Sequence, residues 1–173
     1  MANEEDVKRL KDTGSCPGGD LRDAKLSNAD LSNADLSNAD LFNADLSGAR
    51  LFGARLFGAK LQSAKLYAVN FTGADLFRAD LSGADLEGAD LSGASLGGAD
   101  LSGASLRCAD LSDVDLSNAD LEGANLTGAI LRDADIDFAD FTNAKLCNTV
   151  MPDGQRIFQD CSRDIDKDED EDE

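Results

Sequence analysis

The chain has 173 residues, room for one domain of ordinary size. Its 35 acidic residues against 16 basic ones give a formal charge of −19, and it holds no histidine and no tryptophan. Without histidine the commonest general base and metal ligand is gone, the acidic balance argues against direct nucleic-acid binding, and no apolar run is long enough to span a membrane.

The first element, over residues 1–15, reads as a helical cap. Asn3 can cap a helix over residues 4–12, with Asp6 at the third helical position as in a capping box and acids in the first turn. Val7 and Leu10 supply a small apolar face, and Gly14 supplies the stop. The opening residues Met1–Asp6 are acidic and have no apolar h-region, so no secretory signal is expected and a cytoplasmic location is favoured.

Residues 16–150 are governed by a period of five. From Leu21 to Leu146 every fifth residue is large and apolar, 26 positions in all: 23 Leu, Phe71, Phe141 and Ile136. Two residues before them, from Ala24 to Ala144, stand 23 Ala and two Val, Val69 and Val114. Asp favours the position just before the large residue, as at Asp30 and Asp35, and Asn or Gly the second position after it, as at Asn28 and Gly48. A helix would smear this pattern, since each step of five turns it by about 500°. A flat strand would put successive leucines on opposite faces, because five is odd. A residue type tolerant of positive φ at one fixed phase marks the third position of a type II turn. One short side and one turn per repeat make a four-sided lap of 20 residues. The large residue and the alanine then point inward, and the other three point out.

The consensus Ala-(Asp/Asn)-Leu-x-x, as in Ala29-Asp30-Leu31-Ser32-Asn33, resembles that of the pentapeptide repeat proteins. Gly14–Leu21 and Thr149–Gly154 are similar to segments of the cyanobacterial and plastid members. The resemblance implies an all-β fold, a right-handed quadrilateral β-helix with stacked Leu and Ala ladders, here preceded by the short capping α-helix. Relatives occur in cytoplasm, periplasm and thylakoid lumen, so the last two remain alternatives for location.

Laps should stack about 4.8 Å apart, which makes a rod of roughly 30 Å with two ends that need lids. Residues 151–163 read as the C-terminal cap, with Pro152-Asp153-Gly154 as its turn and Ile157 and Phe158 beyond. Ile130, Phe138 and Val150 are apolar at outward positions, so this end is expected to be covered by that segment or by a second subunit. The chain is thus expected to be a monomer, or a dimer through a solenoid end. Residues 164–173 hold eight acids and one lysine and read as a disordered solvated tail.

Residues 20 apart define columns along the rod. Arg50, Arg55, Lys60 and Lys65 occupy four successive pre-leucine positions and form a cationic belt between rings that are acidic except at Asn70. Charge compensation explains such a belt, through weak exposed ion pairs. Phe42, Phe52, Phe57, Tyr67 and Phe77 crowd the same zone in a phase that faces water. They either cover the stems of the basic side chains or form a partner surface. These nine residues are the candidate contact site for an unknown protein partner.

Of the four cysteines, Cys16 and Cys161 lie near opposite ends, and Cys108 is almost two laps from Cys147. Only Cys147–Cys161 could pair, closing the C-terminal lid, while free thiols in a reducing compartment are the simpler account. No catalytic residues, no metal site and no cofactor are expected: Ser has no base beside it, and the filled bore leaves no cavity. The function expected is that of a non-enzymatic structural or protein-interaction module. The alternative, implied by some members of the family, is an acidic mimic of DNA that binds an enzyme such as DNA gyrase; the belt interrupts such mimicry.

Overall fold

The computed structural model describes residues 1–158 and Cys161; the expected acidic tail, and residues 159, 160, 162 and 163 of the expected C-terminal cap, lie outside the described residues. Helix α1 spans Glu4–Thr13. The Asn3 side chain accepts hydrogen bonds from the Glu5 and Asp6 amides at 2.9 and 3.3 Å, and Gly14 closes the helix at φ 67° with its amide on the Leu10 carbonyl. The expected capping box does not form. The Asn3 amide instead donates to the Asp20 carbonyl (2.9 Å), and the Asp6 carboxylate accepts the Asp20 amide (2.9 Å) and the Arg9 guanidinium (2.9 Å). Asp6 therefore fastens the helix to the first lap. Arg9 also donates to the buried Cys16 thiol at 3.1 Å, and Leu10 is buried over the end of the bore.

From Ser15 to Val150 the chain winds as a β-helix of 20 residues per lap. Parallel β-bridges join each residue at the pre-leucine phase to the one 20 further on, from Ser15↔Asp35 to Ile130↔Val150. A turn every five residues leaves about one residue per side to pair, so the sides form single bridges and not continuous strands. Each turn is closed by a bond such as Ala29 N–H to Leu26 O (3.0 Å), with positive φ at its third residue. That phase holds Gly or Asn at most laps, but also Ser63, Ala68, Arg78, Cys108 and Phe138, all between φ 51° and 60°. The bore is filled as expected: Leu21 to Leu131 are at most 5% exposed, and Leu31 and Leu51 are neighbours one lap apart.

The preference for Asp before the large residue has a turn-based cause. Its Oδ1 accepts the backbone N–H two residues on, as in Ser32 to Asp30 (3.2 Å), Ser82 to Asp80 (3.1 Å) and Ser102 to Asp100 (2.9 Å). Asn70 and Asn125 make the same bond, to the Thr72 and Thr127 amides, at 3.1 Å each. What this bond uses is an acceptor, not a charge. Much of the acidity of the surface follows from how this lap is built.

At the far end β1 (Cys147–Val150) pairs antiparallel with β2 (Arg156–Phe158), with an irregularity between Cys147 and Thr149. The turn at Pro152–Gly154 joins them, with Gly154 at φ 79°. Thr149 stands in the alanine phase, fully buried, and its hydroxyl donates to the Leu126 carbonyl at 2.8 Å. Cys147 and Cys161 form a disulfide (Cα–Cα 4.7 Å), while Cys16 and Cys108 are free. The simpler expectation of free thiols at 147 and 161 is therefore corrected, because the hairpin returns the chain to Cys147. The lid covers Val150 (4% exposed) but neither Ile130 (37%) nor Phe138 (88%), so the expected cover holds for one of the three. The hairpin reaches only the first side of the last lap.

Candidate interaction surface

The belt is positioned by the bridges Asp30↔Arg50↔Asn70, Asp35↔Arg55↔Asp75, Asp40↔Lys60↔Asp80 and Asp45↔Lys65↔Asp85. Each base thus sits between the two pre-leucine residues read for it from the sequence. Arg50 approaches Asp30 at 3.6 Å and Arg55 approaches Asp35 at 3.7 Å. The lower Asp45 carboxyl is held below its usual range first by the Ser47 amide and hydroxyl, and more weakly by Lys65. Asp30 and Asp35 are lowered in the same way, first by Ser32 and Ser37 and last by Arg50 and Arg55. Turn hydrogen bonds outweigh the belt in setting these carboxylates.

The five aromatics are not one patch. Only Phe57 and Phe77 share a column, with ring centroids 6.0 Å apart and planes inclined by 13°. Phe42, Phe52 and Tyr67 each stand at a different corner of the rod, exposed by 46%, 54% and 55%. Two residues outside the expected set complete the Phe57–Phe77 column. The Arg78 guanidinium lies 5.2 Å from the Phe77 centroid. Gly97, directly above Phe77 and buried, leaves the room that ring occupies; a Cβ there would stand 3.1 Å from Phe77 Cδ2 and Cε2. Both residues carried a signal. Gly97 is the one glycine in its phase between Arg22 and Cys147, and Arg78 stands where Gly or Asn is usual.

The belt lap also departs from the turn rule. Where Arg50, Arg55 and Lys65 replace Asp, the residue two further on is Phe52, Phe57 and Tyr67. A basic side chain cannot accept the amide of its own turn. Three turns of one lap therefore lack that bond and carry an exposed aromatic after a cation, whereas the Phe42 and Phe77 amides keep it, donating to Asp40 (3.2 Å) and Asp75 (3.1 Å). Above the belt, Asp80, Asp100, Asp120 and Asp140 form an unbroken bridged ladder on one side, whereas another side is neutral at Ser105 and Asn125. No group of His, Cys, Asp and Glu placed to hold a metal ion occurs among the described residues. No described helix is long and apolar enough to cross a membrane.

Lap length, turn phase and filled bore define a repeat solenoid, and comparison with known proteins specifies which. The family described as pentapeptide repeats matches residues 20–56, 54–93, 84–123 and 109–146, so this chain belongs to the pentapeptide repeat family, whose fold is a right-handed β-helix. Among solved structures it is similar to HetL, a pentapeptide repeat protein involved in heterocyst differentiation regulation from the cyanobacterium Nostoc sp. strain PCC 7120. That match has 29% identity over 91% of this chain and 100% of the other, with a TM-score of 0.38. A second Nostoc PCC 7120 pentapeptide repeat protein, alr5209, is 46% identical over 46% of this chain and 66% of its own, with a TM-score of 0.46. QnrB1, a plasmid-mediated fluoroquinolone resistance protein, is 21% identical over 75% of this chain and 76% of its own (TM-score 0.50), a likeness of fold alone. No curated protein sequence matches the chain.

Proposed function

We propose that this chain is a non-enzymatic protein-interaction module whose contact centres on the Phe57–Phe77 column and spreads along the belt lap. The supporting observation is the stacked, exposed Phe57–Phe77 pair on a lap where Arg50, Arg55 and Lys65 precede the exposed Phe52, Phe57 and Tyr67. The repeat itself does not call for aromatics at this phase, where Ser is the commonest residue. The Arg78 guanidinium over Phe77 adds a charged rim to an apolar centre, the usual composition of a contact that carries binding energy. The partner is a protein with an acidic rim around apolar side chains. The Leu/Ala bore is closed to a substrate, which favours this reading over catalysis.

The test is capture from an extract of the source organism, with quantitative mass spectrometry, comparing the native chain with Phe57→Ser/Phe77→Ser. A partner retained by the native chain and lost from the variant supports the assignment; one retained equally by both refutes it. A second reading, mimicry of DNA, draws on the ladder Asp80–Asp100–Asp120–Asp140. Potent inhibition in a gyrase supercoiling assay would favour it. The turn role of these aspartates accounts for their presence without it.

A further inference from the structure

Among the described residues the last lap ends in an open edge. One lap lower, the Leu116 amide donates to the Asp135 carbonyl (2.8 Å) and the Asn118 amide to the Asp137 carbonyl (2.8 Å). On the last lap the chain beyond the first side supplies two such acceptors, Val150 O for the Leu131 amide (2.8 Å) and Pro152 O for the Asp133 amide (3.0 Å). Past that point the amides of Ile136, Phe138, Phe141 and Asn143 and the carbonyls of Ala134 and Ala139 have no partner among the described residues. Ile136 and Phe141 are only partly buried, unlike the bore residues below them. Phe138 is 88% exposed at φ 60°, the left-handed conformation that every turn of the rod takes at this phase and that a bulky side chain seldom adopts. Residues 134–143 carry three acids, Asp135, Asp137 and Asp140, and no base.

We propose that this edge accepts a segment of a basic partner protein as its next lap: large apolar residues five apart, each preceded by Lys or Arg. The backbone groups would pair as in the laps below, and the apolar residues would cover Ile136 and Phe141. The cations would stand over Asp135 and Asp140 as Arg55 stands over Asp35 at 3.7 Å. A second copy of this chain fits less well. Its N-terminal end is closed by α1, and meeting by C-terminal ends would bring Asp135, Asp137 and Asp140 against their own counterparts. The chain's own last residues are acidic too, eight of the ten from 164 to 173. This surface lies about four laps above the belt, since Arg55 and Lys60 lead through four successive bridges to Asp135 and Asp140, so it stands independently of the contact proposed there.

The probe is the fluorescent peptide Ala-Lys-Leu-Gln-Gly-Ala-Lys-Leu, titrated into the full chain under non-oxidising, non-reducing conditions and followed by anisotropy. Two further peptides are controls, one with Asp for both lysines and one with Ser for both leucines. The expected result is at least about ten-fold tighter binding than either control. The amides of Ile136, Phe138 and Phe141 should gain hydrogen-exchange protection when the peptide is bound. Phe138→Gly, which fits the left-handed turn without strain, should keep the fold and weaken binding several-fold. Equal binding of the serine peptide, or protection confined to the Asp80–Asp120 ladder, would overturn the proposal, since charge alone would then suffice. So would protection of those amides in the free chain, whether it sediments as a dimer (a second copy on the edge) or as a monomer (its own last residues there).

Discussion

Replacing Gly97 by alanine tests whether the Phe57–Phe77 column is a built feature of the rod. Gly97 has no left-handed φ, so an alanine there would ordinarily stabilise by about 0.4–1 kcal/mol through the unfolded chain. Its Cβ, however, would lie 3.1 Å from two carbons of the Phe77 ring and 3.3 Å from an Asp115 carboxylate oxygen. The aspartate can rotate away, but the ring can only swing outward. That movement gives up the stack on Phe57, worth about 0.5–1.5 kcal/mol, and the Arg78 contact, worth about 0.5–1 kcal/mol. The net expectation for Gly97→Ala is a loss of about 1 kcal/mol in urea unfolding, with changed ring chemical shifts at Phe57 and Phe77. In a Phe77→Ser background the same substitution should reverse sign and stabilise by about 0.4–1 kcal/mol. Stabilisation in both backgrounds, with the ring shifts unmoved, would refute the packing described for this column.

Three other expectations follow from burial, cross-linking and charge. Leu86→Ala, in mid-bore at 0% exposure, should cost about 3–5 kcal/mol in urea unfolding, whereas Ile136→Ala at the open edge should cost about 1–2 kcal/mol. Cys161→Ser opens a link across a sequence separation of 14, worth about 3 kcal/mol to the lid, so the Thr149 and Val150 amides should exchange up to about 100-fold faster while mid-rod amides do not change. Asp20, bonded to Arg22, is held at about 2, and Asp30, Asp35 and Asp45 also lie below their usual range. Carboxyls lowered in the folded state contribute fully above about pH 4 and lose that contribution as pH falls toward 2, so acid unfolding should be confined to that window. An NMR titration of Arg22→Ala should return Asp20 toward about 4.

The lap was legible because the five-residue period is unbroken from Leu21 to Leu146, so one phase assignment placed every column. The same register made Arg50 over Asp30 readable. What the period cannot convey is how non-repeating parts dock. Asp6 has the spacing of a capping box, and only the approach of the first lap shows that the Asp20 amide takes it instead. Cys161 likewise lies past the repeat, and the hairpin at Pro152–Gly154 decides whether it meets Cys147. A column view also suggested one aromatic zone, when four corners separate Phe42, Phe52, Phe57 and Tyr67. Gly97 is not legible as a site residue, because an absent side chain reads as a default until the ring below it is placed. In the sequence the aspartates read as charge, yet the Asn70 and Asn125 turns show that they serve first as acceptors.

The stacking of residues 20 apart also fixes how such a chain can change in length. Deleting one five-residue unit between Phe57 and Phe77 would rotate everything above it by a quarter of a revolution, setting Phe77 over Phe52 and Arg78 over Gly53. Deleting four units would shorten the rod by one storey and leave each face above the cut aligned as before. Gains and losses are therefore geared: only multiples of twenty preserve a surface that runs the length of the molecule, and any smaller step deals its residues to a new side.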